Sequence, residues 1–259
     1  MKTLTFSLFT RTPLHVGCGS AVGVVDLPVL RERATGFPTV PGSALKGVLR
    51  DLFDAKAQDE LFGRQDGRGK ILVGEARLAA FPVRSAQGGF AWLTSPLALG
   101  RLGIRCPEVG EEAVFAPDAL VIGNDVVLEE YRLKRAGGLP DEVKPLAPLC
   151  GHTLWQESLA KRLAVVSDTM MAHFAQNACE IAYHNHINDE TGIVEDGGLF
   201  AQENVPSETL FVGKLMADDP DHLRRLTDKL AEVNSLLQVG ADATTGLGWC
   251  FVTCKEAAQ

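Results

Sequence analysis

No run of about 18 apolar residues occurs in this 259-residue chain, so it offers no candidate for a membrane-spanning helix. Its first residues lack the basic-then-apolar layout of a signal peptide. They alternate instead as a strand, with Leu4, Phe6 and Leu8 on one face. The protein is therefore expected to be soluble and cytoplasmic. None of the six cysteines (Cys18, Cys106, Cys150, Cys179, Cys250, Cys254) forms a CxxC pair, which leaves zinc-ribbon and redox readings unsupported. Cys250 and Cys254 share one face of an expected strand, as small buried hydrophobes. Positive charge is also short: 25 Lys and Arg stand against 33 Asp and Glu, a net −8 that argues against a free-standing, non-specific nucleic-acid binder. The glycine-rich stretch 240–248 follows a helix and precedes a strand, so it is not the loop of a dinucleotide or Walker site. There is no internal repeat and no low-complexity tail.

What is present begins with a 46% hydrophobic content, enough for a real core in one large domain or two small ones. Charge is unevenly spread. Residues 1–84 carry 12 Lys and Arg against 8 Asp and Glu, and the rest of the chain holds the acidic surplus. A basic amino-terminal part can face phosphates while the acidic remainder faces solvent or neighbouring subunits. The pattern predicts a strand over 3–10, a long loop over 11–40 and a helix over 43–55. In that helix Leu45, Val48, Leu49, Leu52 and Phe53 share a face, and Ser43 is the expected N-cap. Extended pieces follow at Ile71–Phe81, 90–95 and 119–128, with an exposed connection from Gly137 to Gly151 and a helix over 168–179. Asn188-Asp-Glu-Thr-Gly192 and Asp196-Gly197-Gly198 interrupt an extended stretch from Ile181 to Phe200, which reads as a protruding hairpin. After a strand at 208–216, Asp219 caps a helix with Pro220 in its first turn. Leu223, Leu226, Leu230, Val233 and Leu237 line one side of it, and Gly240 stops it. A strand at Trp249–Cys254 ends the pattern. The order is the βαββαβ of an α+β, ferredoxin-like or RNA-recognition fold with large insertions.

Four features carry chemistry. Pro41-Gly42-Ser43 opens a helix whose free N–H groups attract phosphate, and Gly42 permits a close approach to the backbone. Lys46 and Arg50 are neighbours on one face, a like-charge pair that needs an anion opposite, from a phosphate or from Asp54. Asp26 sits among Val24, Val25, Leu27 and Val29. A buried carboxylate there needs Arg31 or Arg33 as partner, or else it is presented to a ligand. His15 can serve as an acid or base, or simply pack or contact phosphate. Thr244 and Thr245, flanked by Gly246 and Gly248, can follow a phosphate backbone or make a tight turn. His184 and His186 share a strand face, as a metal pair or a polar arm surface.

Together these segments resemble the RAMP superfamily of CRISPR proteins, nearest the repeated backbone subunit of the Cmr type III-B effector complex. The resemblance rests on His15-Val-Gly17, Gly23-Val-Val-Asp26-Leu-Pro28, Gly36-Phe-Pro, Pro41-Gly42-Ser43-Ala-Leu-Lys46-Gly47, Ile187-Asn-Asp-Glu-Thr-Gly192, Pro206-Ser-Glu-Thr-Leu210-Phe211 and the 240–248 loop. It implies a single domain over 1–259. Its ferredoxin-like palm would cover about 1–84 and 205–259, with insertions over about 85–180 and a thumb hairpin over about 181–204. It implies partners: CRISPR guide RNA, target single-stranded RNA, further copies of the chain and other type III effector subunits, with no membrane. Asp26 would support target-RNA cleavage with a divalent metal, Mg or Mn, and His15 would assist. Gly42, Ser43, Lys46, Arg50, Thr244, Thr245, Gly246 and Gly248 would hold guide RNA. Ile187, Asn188, Asp189, Glu190, Thr191 and Gly192 would form the thumb. Departures from the family pattern are Ala241 for glycine, Leu247 for a basic residue, and His184 and His186 for arginines. Two alternatives stay open: a non-catalytic guide-RNA scaffold, and a stand-alone, metal-independent guide-processing endoribonuclease.

Overall fold

Strand β1 (Lys2–Thr10) carries large apolar side chains on both faces and must be covered on both. Phe6 and Leu8 lie in one hydrophobic core and Phe9 in a second. The computed structural model describes residues 1–21, 23–64, 66–185, 187, 192–193 and 198–256, and sets β1 inside a 12-stranded sheet. After a long loop come β2 (Thr39–Val40), α1 (Gly42–Arg50), α2 (Ala55–Phe62), β3 (Gly63–Arg64), β4 (Gly67–Arg68), β5 (Ile71–Val73) and β6 (Ala76–Ser85). The middle of the chain supplies β7 (Gly89–Thr94), α3 (Pro96–Gly100), β8 (Ala113–Phe115), β9 (Asp125–Leu128), β10 (Tyr131–Gly137), α4 (Thr153–Arg162), β11 (Leu163–Val165) and α5 (Asp168–Asn177). Then follow β12 (Glu180–His184), β13 (Phe200–Asn204), β14 (Leu210–Ala217), α6 (Pro220–Glu232), β15 (Leu236–Gln238) and β16 (Trp249–Glu256).

In the sheet, β16, β1, β14 and β6 are successive antiparallel neighbours. Phe6 stands opposite Gly213 on β14 and Cys254 on β16. A Cβ at Gly213 would lie 2.6 Å from the Phe6 ring, so only glycine lets that ring lie flat against the neighbouring strand. The amphipathic helices α1 and α6 cover one face, where Leu45, Leu49, Leu223, Leu226 and Leu230 join Phe6 and Leu8. The other face carries the second core, with Trp92, Trp155 and Leu146 around Phe9. β6 outruns its pairing with β14 and continues along β7, and its Ser85 also pairs with Leu128 of β9. Strands β6, β7, β11, β8, β10 and β9 thereby close into a six-stranded ring. No helix among the described residues is long and apolar enough to cross a membrane.

Several expectations are corrected. The helix expected over 43–55 ends at Arg50 and starts at Gly42, with Pro41 rather than Ser43 at its N-cap and no side-chain cap. Asp54 caps a separate helix, α2, by accepting the Ala57 N–H at 3.0 Å. The helix after Asp219 starts as expected but stops at Glu232, well before Gly240. Asn234 and Ser235 turn left-handed (φ 53° and 58°), and Leu237 belongs to β15. The segment from Gly137 to Gly151 is not simply an exposed connection. Residues Asp141–Leu149 form 3-10 turns that bury Val143 and Leu146 beside Cys150. Only Asp125–Leu128 of the extended piece at 119–128 is a strand.

Candidate nucleic-acid interface and active-site loop

Strand β13 organises the site. Its partner β12 pairs with it from Glu180↔Asn204 to His184↔Phe200, the base of the hairpin expected from the sequence. Ile187 and Gly192 near its tip are described, and Ile187 is exposed. Asn188, Asp189, Glu190, Thr191 and His186 lie outside the described residues. His184 stacks on Phe200, with ring centroids 5.0 Å apart.

The far side of β13 receives the loop that carries Asp26. The Ala201 N–H donates to Asp26 Oδ2 at 2.8 Å, while the backbone N–H groups of Asp26 and Leu27 donate to Ala201 O. Asp26 is exposed and pairs with no cation among the described residues. Of the two alternatives for Asp26, neutralisation by Arg31 or Arg33 is not seen among the described residues: Arg31 pairs with Glu203 at 2.5 Å. One carboxylate oxygen thus fixes the side chain, and the other has no partner among the described residues. His15 is buried, and its Nδ1 lies 2.7 Å from Glu203 O. Gly17 leaves room for the ring, since a Cβ there would stand 2.6 Å from His15 Nε2.

The 240–248 loop joins the same strand. Gln202 Nε2 donates to Asp242 Oδ2 at 2.6 Å, and the Ala241 N–H donates to His15 O at 2.9 Å. Asp242 is left-handed (φ 62°), which turns the loop outward and exposes Thr244 and Thr245. The Thr245 hydroxyl donates back to Asp242 O at 2.9 Å, so Thr244 offers the freer hydroxyl. Gly248 is buried, and a Cβ there would collide with Val239 O. Gly246 (φ 87°) closes the turn. His15, Asp26 and the Thr244–Thr245 loop are therefore brought together by β13.

Helix α1 forms a second surface, joined to the first by no hydrogen bond or ion pair among the described residues. Gly42 has a structural reason: a Cβ there would lie 2.4 Å from Val73 O, so it lets the helix start pack on the turn before β6. Ser43 and Lys46 are exposed, and Lys46 has no ion-pair partner among the described residues. Arg50 is committed to α2. It bonds Asp59 at 2.9 Å and Gln58 at 3.2 Å, and also the Gly63 carbonyl. The anion opposite it is Asp59, not Asp54.

Among the described residues no group of three His, Cys, Asp or Glu is placed to hold a metal ion. A resident, protein-caged metal does not fit a lone carboxylate. A hydrated Mg²⁺ or Mn²⁺ that takes its remaining ligands from water and a substrate phosphate fits the free oxygen of Asp26. Glu203, Gln202 and Asp242 are the residues around this loop that sequence reasoning missed, and Arg31 was named but for a different acid. The available signal was the polar run Gln202-Glu203-Asn204 flanked by Ala201 and Val205, three polar side chains that the fold buries.

The RAMP superfamily model matches residues 8–251. The CRISPR system Cmr endoribonuclease Cmr4 of Pyrococcus furiosus is 35% identical, over 99% of this chain and 97% of its own. The Cms endoribonuclease Csm3 of Mycobacterium tuberculosis is 39% identical over 67 residues, 24% of this chain and 28% of its own. Oligomeric Cmr4 from Pyrococcus furiosus has a similar crystal structure, with a TM-score of 0.79 at 28% identity over 100% of both chains. A chain of the type III-B Cmr-beta complex bound to cognate target RNA shares the fold, with a TM-score of 0.80 at 17% identity over 98% of this chain and 97% of its own.

Proposed function

The chain belongs to the RAMP superfamily, and from that premise we propose that it is the repeated backbone subunit of a type III-B RNA-guided effector complex. It holds a CRISPR guide RNA together with further copies of itself and other effector subunits, and it cleaves complementary target RNA. Such a subunit works in the cytoplasm, where its RNAs are. The full-length likeness to a Cmr endoribonuclease supports the class of activity. The observation that carries the site is Asp26: an exposed carboxylate pinned through one oxygen to the Ala201 amide, with the other oxygen unpartnered among the described residues. A scaffold needs no such anchored acid.

The finer architecture belongs to the same proposal. Strands β16, β1, β14 and β6 run in the antiparallel order of a ferredoxin-like palm, with α1 and α6 on one face. The β12–β13 hairpin is the thumb, and the six-stranded ring is an elaboration that shares β6 with the palm and draws its other five strands from the chain beyond Ser85.

Base pairing selects the target, and the protein holds backbone and shape. In cleavage, a target 2′-hydroxyl attacks the adjacent phosphorus and the 5′ oxygen leaves, giving a cyclic phosphate and a 5′-hydroxyl. Asp26 orients that hydroxyl or accepts its proton, and β13 keeps the carboxylate in place while the RNA is positioned. A divalent ion bound at Asp26 and the phosphate would offset charge on the leaving oxygen. Ser43 and Lys46 on α1, and Thr244 on its loop, contact guide phosphates. Arg50 contributes by fixing α1 to α2. His15 sets the spacing between β13 and the 240–248 loop.

The test compares wild type with Asp26→Ala and Asp26→Asn in the reconstituted guide-loaded complex with Mg²⁺. Asn can still accept the Ala201 N–H, so the loop should keep its place. Both variants should bind target normally and lose cutting, by about 10²–10⁴-fold, the range for a lost general base. Wild-type complex that binds but does not cut would reduce the chain to a scaffold.

A further inference from the structure

We propose that Glu203, with Arg31, is the clasp that positions the Asp26 loop for RNA cleavage, an inference that rests on the reading of Asp26 above. Glu203 grips that loop at several points. Its backbone N–H donates to Leu27 O at 2.9 Å. Its Oε2 accepts the Val29 N–H at 2.9 Å, and its Oε1 meets Arg31 at 2.5 Å. Its carbonyl accepts from the His15 side at 2.7 Å. Two residues earlier on the same strand, Ala201 holds Asp26. Residues 26 to 31 therefore hang on 201 to 203, with the Glu203 side chain holding Val29 and Arg31 and the Asp26 side chain holding Ala201.

Arg31 extends the grip to the rest of the fold. Its guanidinium also donates to Gly36 O at 2.7 Å, to Ala175 O at the end of α5 at 2.8 Å, and to Cys179 Sγ at 3.3 Å. Burial pushes the Cys179 thiol up to about 12, so it stays neutral and Glu203 is the anion that answers Arg31. The pair is largely desolvated, with side chains 20% and 9% exposed. A buried pair of this kind adds little net stability but specifies one geometry, because either charge alone is poorly tolerated. The geometry specified here is the distance between β13 and the loop that presents Asp26. Neither residue reaches the exposed carboxylate itself, so both act through position.

The test uses the guide-loaded complex with Glu203→Gln, Arg31→Lys and the double variant, alongside Asp26→Ala. Single-turnover cleavage at saturating target is read against target affinity and complex assembly. Displacing the Asp26 loop should slow cleavage by about 10- to 100-fold, the scale of a misplacement near 1 Å, with affinity and assembly within about twofold. The double variant should be no slower than the worse single variant, because both break one clasp. Wild-type cutting by Glu203→Gln beside an inactive Asp26→Ala overturns the clasp alone. Loss of assembly or binding in step with cutting, in the milder Arg31→Lys as well, also overturns it and leaves a merely structural pair. Wild-type cutting by Asp26→Ala instead removes the site reading itself, and the clasp's part in cleavage with it.

Discussion

Four thiols give the protein a pH response that can be assigned residue by residue. Burial pushes Cys150 and Cys254 up to about 11, and Cys179 and Cys250 up to about 12. In the unfolded chain the same groups titrate near 8.5–9. The folded state therefore holds protons that the unfolded state releases. Stability from these groups is complete below about pH 8.5 and is lost as pH rises towards 11–12. Melting temperature should fall between pH 8.5 and 10.5, and the slope should be shallower in Cys250→Ala whatever that variant's stability at neutral pH. An unchanged slope would place the response elsewhere. Reading Cys250 and Cys254 as small hydrophobes on one strand face was within reach of the sequence, and Cys250 is buried and Cys254 half-buried; the places of Cys150 and Cys179 were not. The Glu203–Arg31 pair was not, because the partners are 172 residues apart and neither local pattern names the other. Asp26 was legible as unusual, but the physical reason differs: it is exposed and held by a backbone amide, not buried and in want of a cation.

Helix α1 carries a glycine that packing does not explain. Gly47 lies in the helix interior, exposed, and a Cβ there would meet nothing within 4 Å. Glycine at such a position costs about 0.5–1 kcal/mol relative to alanine. Gly47→Ala should therefore raise the melting temperature by about 2–4 °C. It adds a methyl group one turn from Ser43 and next to Lys46, beside the face assigned to guide phosphates, so guide affinity should fall while stability rises. A stability gain with unchanged guide affinity, measured by filter binding, would take this face out of the interface. Elements were legible where periodicity and caps agreed, as at Asp219-Pro220 and in β1, β14 and β16. They were lost where one apolar stripe runs through two elements. Leu52 and Phe53 continue the stripe of α1 past its end at Arg50, which hid the break before α2. Leu237 continued the stripe of α6 into β15, because nothing local announces that Asn234 and Ser235 turn left-handed.

At the scale of the whole molecule, the central strands bind the two cores into one cooperative unit. β1, β6 and β14 each bury side chains on both faces. Phe6 and Phe9, Leu78 and Ala80, and Phe211 and Val212 alternate between the two cores. The mixing of helices and strands was readable because elements such as β1, α1 and α6 are each patterned on a local period. The six-stranded ring was not, since it closes through a single pair, Ser85 with Leu128, and through parallel neighbours far apart in sequence. Continuity of the sheet makes a testable demand. Trp92 and Trp155 are fully buried in the second core, while α1 and α6 pack only on the first. With the exposed Trp249 of β16 replaced by phenylalanine, tryptophan fluorescence follows the second core, and the helical signal in circular dichroism is weighted towards the first. If β1, β6 and β14 couple them, the two probes should give the same urea midpoint, as two-state unfolding requires. A fluorescence transition preceding the loss of helix would mean that the second core melts as a unit of its own, and that β1, β6 and β14 do not couple the two.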